Sequence, residues 1–300
     1  MPVVKLRQIR RRIRSVQSTK KITRAMELIA ASRIVRAQGR VAAARPYSEE
    51  ITKVVANLAA LSGGSDHPLL ERREPASKVG LIVIGGDRGL AGAYNSSVIR
   101  AAEGRLREAR KSGASGALFV VGRKSLAYFR FRGYTIERSY SGMSDRPTYE
   151  QAREVAADVM SAYESGEVDR VEITSTRFLS AATQRVVSRT LLPVEPPESR
   201  DDPTGPVGGY EFEPEPAGIL ARLLPSYVEA RLFAAMLDAS ASEHAARQRA
   251  MKTATDNADD LIKTLTRVAN QARQTEITSE IMEIVGGAEA LRVPKGEVLG

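Results

Sequence analysis

The chain has 300 residues, 42% of them hydrophobic but only 5% aromatic, with no tryptophan and no cysteine. That length suits one large domain or two ordinary ones, and a core of Ala, Val, Ile and Leu with few rings favours helix-on-helix packing over a β-sandwich. Lack of cysteine excludes disulfides, thiol switches and cysteine-ligated metals and agrees with a reducing compartment. No apolar run approaches the roughly 18 residues of a membrane helix, which predicts a soluble or peripheral protein.

The net charge of +9 is concentrated at one end. Met1 to Arg40 holds twelve cations against one acid, Glu27, so this segment alone carries +11. Such a run superficially matches an organelle transit peptide, but its helical periodicity continues past residue 30, against that reading. Like charges at helical spacing repel unless a partner compensates, so an anionic neighbour is expected.

Pro2 to Leu61 reads as one long helix on the steps Leu6, Ile9, Ile13, Val16, then Ile22, Met26, Ile29, and Ile51, Val54, Leu58, Leu61. Pro46 is a possible kink, and Ser62-Gly63-Gly64 a stop. The interval Gln17 to Lys21 is polar, which predicts that it faces something other than a tight helical partner. Val79–Ile84 is a buried strand ending at Gly85-Gly86, followed by a helix over 96–111, a strand over 117–121, a short helix over 122–131 and an extended edge over 134–140. A helix over 149–163 and strands over 168–175 and 185–192 complete an alternation that implies right-handed crossovers and a mainly parallel sheet. Residues 194–216, rich in Pro, Gly and acid, read as a linker.

Beyond Pro225 no proline occurs until Pro294, and Gly286-Gly287 mark a possible helix end. Met251, Ala254, Ala258, Leu261, Leu265, Val268 and Ala272 step by alternate threes and fours, a heptad seam that resumes at Ile277, Ile281, Ile284 and Ala288. At 1.5 Å per residue such a helix would be on the order of 100 Å long, and its stripe needs a partner helix. The expected fold is α/β plus a long antiparallel α-helical coiled coil formed by the N- and C-terminal helices, with an inserted Rossmann-like three-layer α/β domain. Its parts are a helix over 1–62, the α/β domain over 78–193, a linker over 194–217 and a helix over 218–292.

Chemistry within the chain is sparse. Gly85-Gly86-Asp87-Arg88-Gly89-Leu90-Ala91-Gly92 stands where a dinucleotide fold puts its phosphate turn, yet G-x-G-x-x-G is not satisfied and Asp87 places negative charge there. A structural loop or partner contact is the preferred reading. His67 and His244 have no second nitrogen ligand nearby in sequence, so no metal or other cofactor is expected. Asp259-Asp260 and Asp201-Asp202 read as solvated charge, and no Ser/His/acid set assembles.

Three stretches, Arg7 to Gln38 (RQIRRRIRSVQSTKKITRAMELIAASRIVRAQ), Gly85 to Asn95 (GGDRGLAGAYN) and Ser242 to Leu291, closely resemble the γ-subunit family of F-type ATP synthases, in the family's order. The resemblance implies a non-catalytic central-stalk rotor, one copy per complex, inside three α and three β subunits. It also implies contacts with ε and the c ring at the cytoplasmic face of the bacterial plasma membrane. Arg273, Gln274 and Thr278 would meet a catch loop on β, and Lys20, Lys21, Arg24, Met26 and Arg247 an acidic lever loop of β. Ile281, Ile284 and Leu291 would turn in an apolar sleeve, with Tyr210 a contact to the c ring or ε. The chloroplast relatives' cysteine-bearing insertion is missing, and His244 replaces a different polar residue. No nucleic acid is expected as a partner under this reading; the alternative is a basic helical hairpin that binds nucleic acid. It lacks support from aromatics, since Pro2 to Arg45 contains none.

Overall fold

The computed structural model describes residues 2–61, 67–195 and 216–291. Two long helices, α1 (Pro2–Leu61) and α5 (Pro216–Leu291), flank an α/β segment. Pro46 lies within α1 and Pro225 within α5. Contacts divide the chain into two compact units: the ends, up to Glu27 and from Met251 onward, and the central Leu28–Ala250.

The central unit is built on a five-stranded sheet in the order β3-β2-β1-β4-β5. Its strands are β1 (Lys78–Ile84), β2 (Ser115–Val121), β3 (Ile136–Tyr140), β4 (Arg170–Phe178) and β5 (Gln184–Leu192). The first four pair in parallel, but β5 returns antiparallel to β4, so the sheet is mixed. The β4–β5 turn over 179–183 holds no glycine or proline. It closes instead through Ser180, whose amide donates to the Thr183 carbonyl at 3.0 Å and whose hydroxyl accepts from the Thr183 amide at 3.0 Å.

Helices α2 (Tyr94–Lys111), α3 (Arg123–Phe131) and α4 (Tyr149–Glu164) connect the parallel strands. After Lys78, strand β1 is apolar and buried from Val79 to Ile84, as suits a strand covered on both faces. Leu81 and Val83 pack with Leu118, Val98, Ala102 and Phe129 on one face. Ile82 and Ile84 join Phe119, Val155, Val159 and Tyr163 on the other, where Val55 and Leu58 of α1 and Leu224, Leu232 and Met236 of α5 complete the core. A capping box at Thr148, with Gln151 answering its amide, starts α4.

The end unit differs from expectation in the phase of its helices. On α1 the sheltered positions are Leu6, Ile9, Ile13, Val16, Lys20, Thr23 and Glu27, with Met26 beside them. The expected Ile22 and Ile29 are 61% and 55% exposed, and within the central unit Val54 yields to the fully buried Val55. On α5 Met251, Ala258, Leu265 and Ala272 hold their expected places, but Thr255 and Ala269 are buried while Leu261 and Val268 are exposed. Two heptad phases share every second member, and the choice between them went to the set in which threonines meet. The Thr255 hydroxyl donates to Thr23 Oγ1 at 2.8 Å. Asp259 is likewise ion-paired with Lys20 rather than merely solvated. The α5 helix also continues through Gly286-Gly287 to Leu291, so those glycines do not end it.

Candidate functional site

The glycine-rich stretch lies in the central unit, and most of the residues singled out by resemblance lie in the end unit. In the central unit the loop between β1 and α2 carries the GGDRGLAGAYN stretch. Asn95 fixes it by accepting from the Gly86 amide at 2.8 Å and donating to the Arg88 carbonyl at 3.3 Å. Asp87 accepts from the amides of Arg123 and Ser144, at 3.2 and 3.1 Å. Although burial opposes it, these and other backbone donors hold the Asp87 carboxyl below its usual range.

The loop's glycines make room for α5. A Cβ on Gly86 would lie 2.9–3.1 Å from the Glu243 carboxylate, and Gly122, at φ +100°, leaves room for the Gly85 backbone. Glu243 is 2% exposed and paired with Arg247, whose guanidinium also donates to the Gly89 carbonyl at 3.4 Å. Burial raises the Glu243 carboxyl pKa, Arg247 resisting. A parallel sheet of this type receives ligands at the carboxyl ends of its strands, where the connections change side. Here Glu243 stands against Gly86 and the Ser242 hydroxyl donates to the Thr176 carbonyl at 3.4 Å, so the chain's own helix occupies that position. A phosphate arriving at the glycine turn would meet the Glu243 and Asp87 carboxylates.

Both histidines have structural partners. His67 Nδ1 accepts from the Leu69 amide at 3.2 Å, capping a 3₁₀ turn over Pro68–Leu70. Burial chiefly holds His244 below its usual pKa, and its Nε2 lies 3.2 Å from the Asp145 carbonyl oxygen. Arg33 of α1 grips the Asp145 carboxylate at 2.6 Å, and Ser240 donates to the same residue's carbonyl at 3.1 Å. These links tie α1, the loop after β3 and α5 together. Among the described residues no cluster of three or more His, Cys, Asp or Glu could hold a metal ion.

In the end unit Lys21 is exposed, Arg24 pairs with Glu27 at 2.9 Å, and Lys20 pairs with Asp259. Arg247, grouped with them by resemblance, lies in the central unit, 8% exposed and engaged within the chain. Arg273, Gln274 and Thr278 are all exposed on α5, and the Thr278 hydroxyl donates to the Gln274 carbonyl at 2.9 Å, so those two share a helix face. Ile281 and Ile284 are 53% and 71% exposed, as are their neighbours Met282 and Val285 at 67% and 56%. The Leu291 side chain and all of Tyr210 lie outside the described residues. Sequence reasoning did not single out Glu243, Asp145, Thr23 or Thr255. For Glu243, Thr23 and Thr255 the one sign was polarity at positions that helical phase would bury, and Asp145, in the loop after β3, gave none.

Comparison with known proteins places these features in context. A family model described as ATP synthase matches residues 5–291. The ATP synthase gamma chain of Frankia casuarinae is 54% identical over 291 residues, covering 95% of this chain and 97% of that one. The gamma chain of Mycolicibacterium smegmatis is 49% identical over 300 residues, with the same coverage. Among solved structures, a chain of the Euglena gracilis mitochondrial ATP synthase (OSCP/F1/c-ring, rotational state 3) superimposes with a TM-score of 0.65 at 17% identity, covering 98% of this chain and 99% of that one. A chain of the Tetrahymena thermophila mitochondrial ATP synthase central stalk and c ring gives 0.59 at 22% identity, covering 78% and 99%.

Proposed function

The chain belongs to the ATP synthase gamma-chain family, and on that premise we propose that it couples rotation of a membrane c ring to the catalytic sites on β. It is a subunit of ATP synthase, a membrane-associated complex in bacteria, and among the described residues no helix is long and apolar enough to cross a membrane. In this reading the chain is non-catalytic and present once per complex. Its shaft is an antiparallel coiled coil of α1 and α5 within three α and three β subunits. Its α/β segment, Tyr210 included, meets ε and the c ring at the cytoplasmic face. The N-terminal helix (1–62), α/β domain (78–193), linker (194–217) and C-terminal helix (218–292) keep their expected roles.

What supports the reading is the pairing of α1 with α5 through Thr23–Thr255 and Lys20–Asp259, followed on α5 by a stretch whose apolar residues have no cover. As the α1 number falls, that of its α5 partner rises, as antiparallel helices require. Uncovered Ile281, Ile284 and Met282 suit a sleeve supplied by other subunits, with Leu291 closing it, and the polar Arg273, Gln274 and Thr278 suit a catch loop. Lys21, Arg24, Met26 and Lys20 are the candidates for an acidic lever loop, with Arg247 acting from behind through the Gly89 loop. A rotor changes catalytic-site affinity by making different contacts with each β conformation. The nucleic-acid alternative has no support, since the family to which the chain belongs is that of ATP synthase gamma chains.

The test is assembly with α and β, then Arg273→Ala/Gln274→Ala in the complete synthase. The variant should assemble normally yet lose about tenfold in ATP synthesis, equivalent to about 1.4 kcal/mol of coupling. Undiminished synthesis would remove both residues from the contact.

A further inference from the structure

A second cluster of charge lies in the central unit, apart from the glycine loop. The β4–β5 register sets Ile173 opposite Arg189, Ser175 opposite Val187 and Arg177 opposite Arg185, so Ser175, Arg177 and Arg189 project from one face. Arg231 and Asp238 stand two turns apart on α5, and with Ser48 of α1 and Thr190 they close a cleft of about 120 Å³. Among the described residues, none of Arg177, Arg189 and Arg231 has an ion-pair partner. Arg231 donates instead to the Tyr227 hydroxyl at 2.7 Å.

The arrangement is electrostatically unbalanced. Burial, then Arg177 and Arg231, lowers the pKa of Arg189. Among the described residues Asp238 is the one acid lining the cleft; burial, opposed by Arg177, Arg189 and Arg45, pushes it up to about 6, and it accepts from the Phe178 amide. Three guanidiniums and two serines therefore line a cleft whose carboxyl, that of Asp238, is itself disfavoured as an anion.

We propose that this cleft binds a small tetrahedral oxyanion, inorganic phosphate in the cell, through Arg177, Arg189 and Arg231 with the hydroxyls of Ser48 and Ser175. The volume is below the roughly 300–1,000 Å³ of ordinary small-molecule sites, which fits an oxyanion and leaves no room for a nucleoside. Donors arriving from a strand pair and two helices are not coplanar. A planar partner carboxylate would satisfy one guanidinium fork, whereas a tetrahedral acceptor has oxygens for all three. Protonation of Asp238 removes the one opposing charge, so affinity rises as pH falls through about 6.

Calorimetric titration of the full-length chain with sodium sulfate, against sodium chloride at matched ionic strength, tests this. Sulfate keeps its charge across pH 5.5–7.5, so any pH dependence belongs to the protein; inorganic phosphate is the second probe. The expected result is saturable binding of both anions, tighter for sulfate at pH 5.5. Arg177→Gln/Arg189→Gln should weaken it at least about tenfold. Asp238→Asn should tighten sulfate binding at pH 7.5 and flatten the pH profile, a gain that misfolding cannot imitate. No saturable response overturns the proposal, as does an equal response in the double arginine variant, the mark of sulfate's general exclusion from protein surfaces. A double variant that binds sulfate normally but no longer joins α and β would also overturn it, and assign the cleft to an acidic protein partner.

Discussion

Arg247 and Glu243 are withdrawn from water one helical turn apart on α5, at 8% and 2% exposure, and neither is tolerable there without the other. Arg247→Ala leaves a carboxylate buried beside Gly86, and a loss of about 3–5 kcal/mol is expected. The pH dependence gives the mechanism away. The folded-state pKa of Glu243 is already raised, so its contribution to stability is greatest at low pH and is lost as pH rises through the folded value. Removing the cation raises that pKa further and deepens the loss at neutral pH. Thermal unfolding of Arg247→Ala should therefore fall furthest below the parent at pH 7.5 and recover part of the deficit at pH 5. An equal deficit at both would mean that the guanidinium acts by packing and by its bond to the Gly89 carbonyl alone. Arg247 was identifiable as important by resemblance to a known motif. Its buried partner was not, because nothing in SEHAARQR distinguishes a salt bridge within the helix from cations turned outward.

At the scale of elements, apolar runs ending at glycines made β1 and β2 legible, β3 showed as an extended edge, β4 and β5 were read from alternation, and helical spacing placed α1 to α5. What sequence could not provide was direction and phase. Strand β5 was readable as a strand but not as antiparallel, since its turn over 179–183 uses Ser180 and Thr183 rather than a glycine pair. The α5 seam was misphased because Leu261 and Val268 are more hydrophobic than Thr255 and Ala269, and phase is decided by the facing helix, not by the stripe itself. A threonine pair at the seam makes a testable claim. Thr23→Val alone lets the Thr255 hydroxyl turn its one proton to the Met251 carbonyl at 2.8 Å, whereas Thr255→Val leaves Thr23 its bond to the Lys20 carbonyl at 3.0 Å. Each single change should then cost about 0.5–1.5 kcal/mol, and the double variant clearly less than the sum, because two valines pack as an apolar pair. Additive losses in chemical denaturation would show that the hydroxyls do not act on each other.

For the whole molecule, the distribution of core residues matters more than their number. All of the extended apolar clusters fall between Ile51 and Ala239, inside the central unit. Among the described residues the end unit's buried positions are Leu6, Thr23, Glu27, Met251, Thr255, Ala258 and Ala269, small or polar for the most part. Burial of apolar area at about 25 cal/mol per Å² therefore stabilises the two units very unequally. Nine cations within Met1 to Glu27 add repulsion that acids of the same unit only partly offset. A chain organised in this way should not unfold in one step. Hydrogen exchange on the free protein is expected to show amides of 2–27 and 251–291 opening at low free energy, while β1, β2 and α4 exchange only through global unfolding. Bound to α and β, the end amides should slow by orders of magnitude, since partners that bind only the folded form stabilise it by mass action. Equal protection of both units in the free chain would mean that the polar seam is self-sufficient, and the reading that other subunits complete the shaft would lose its energetic basis.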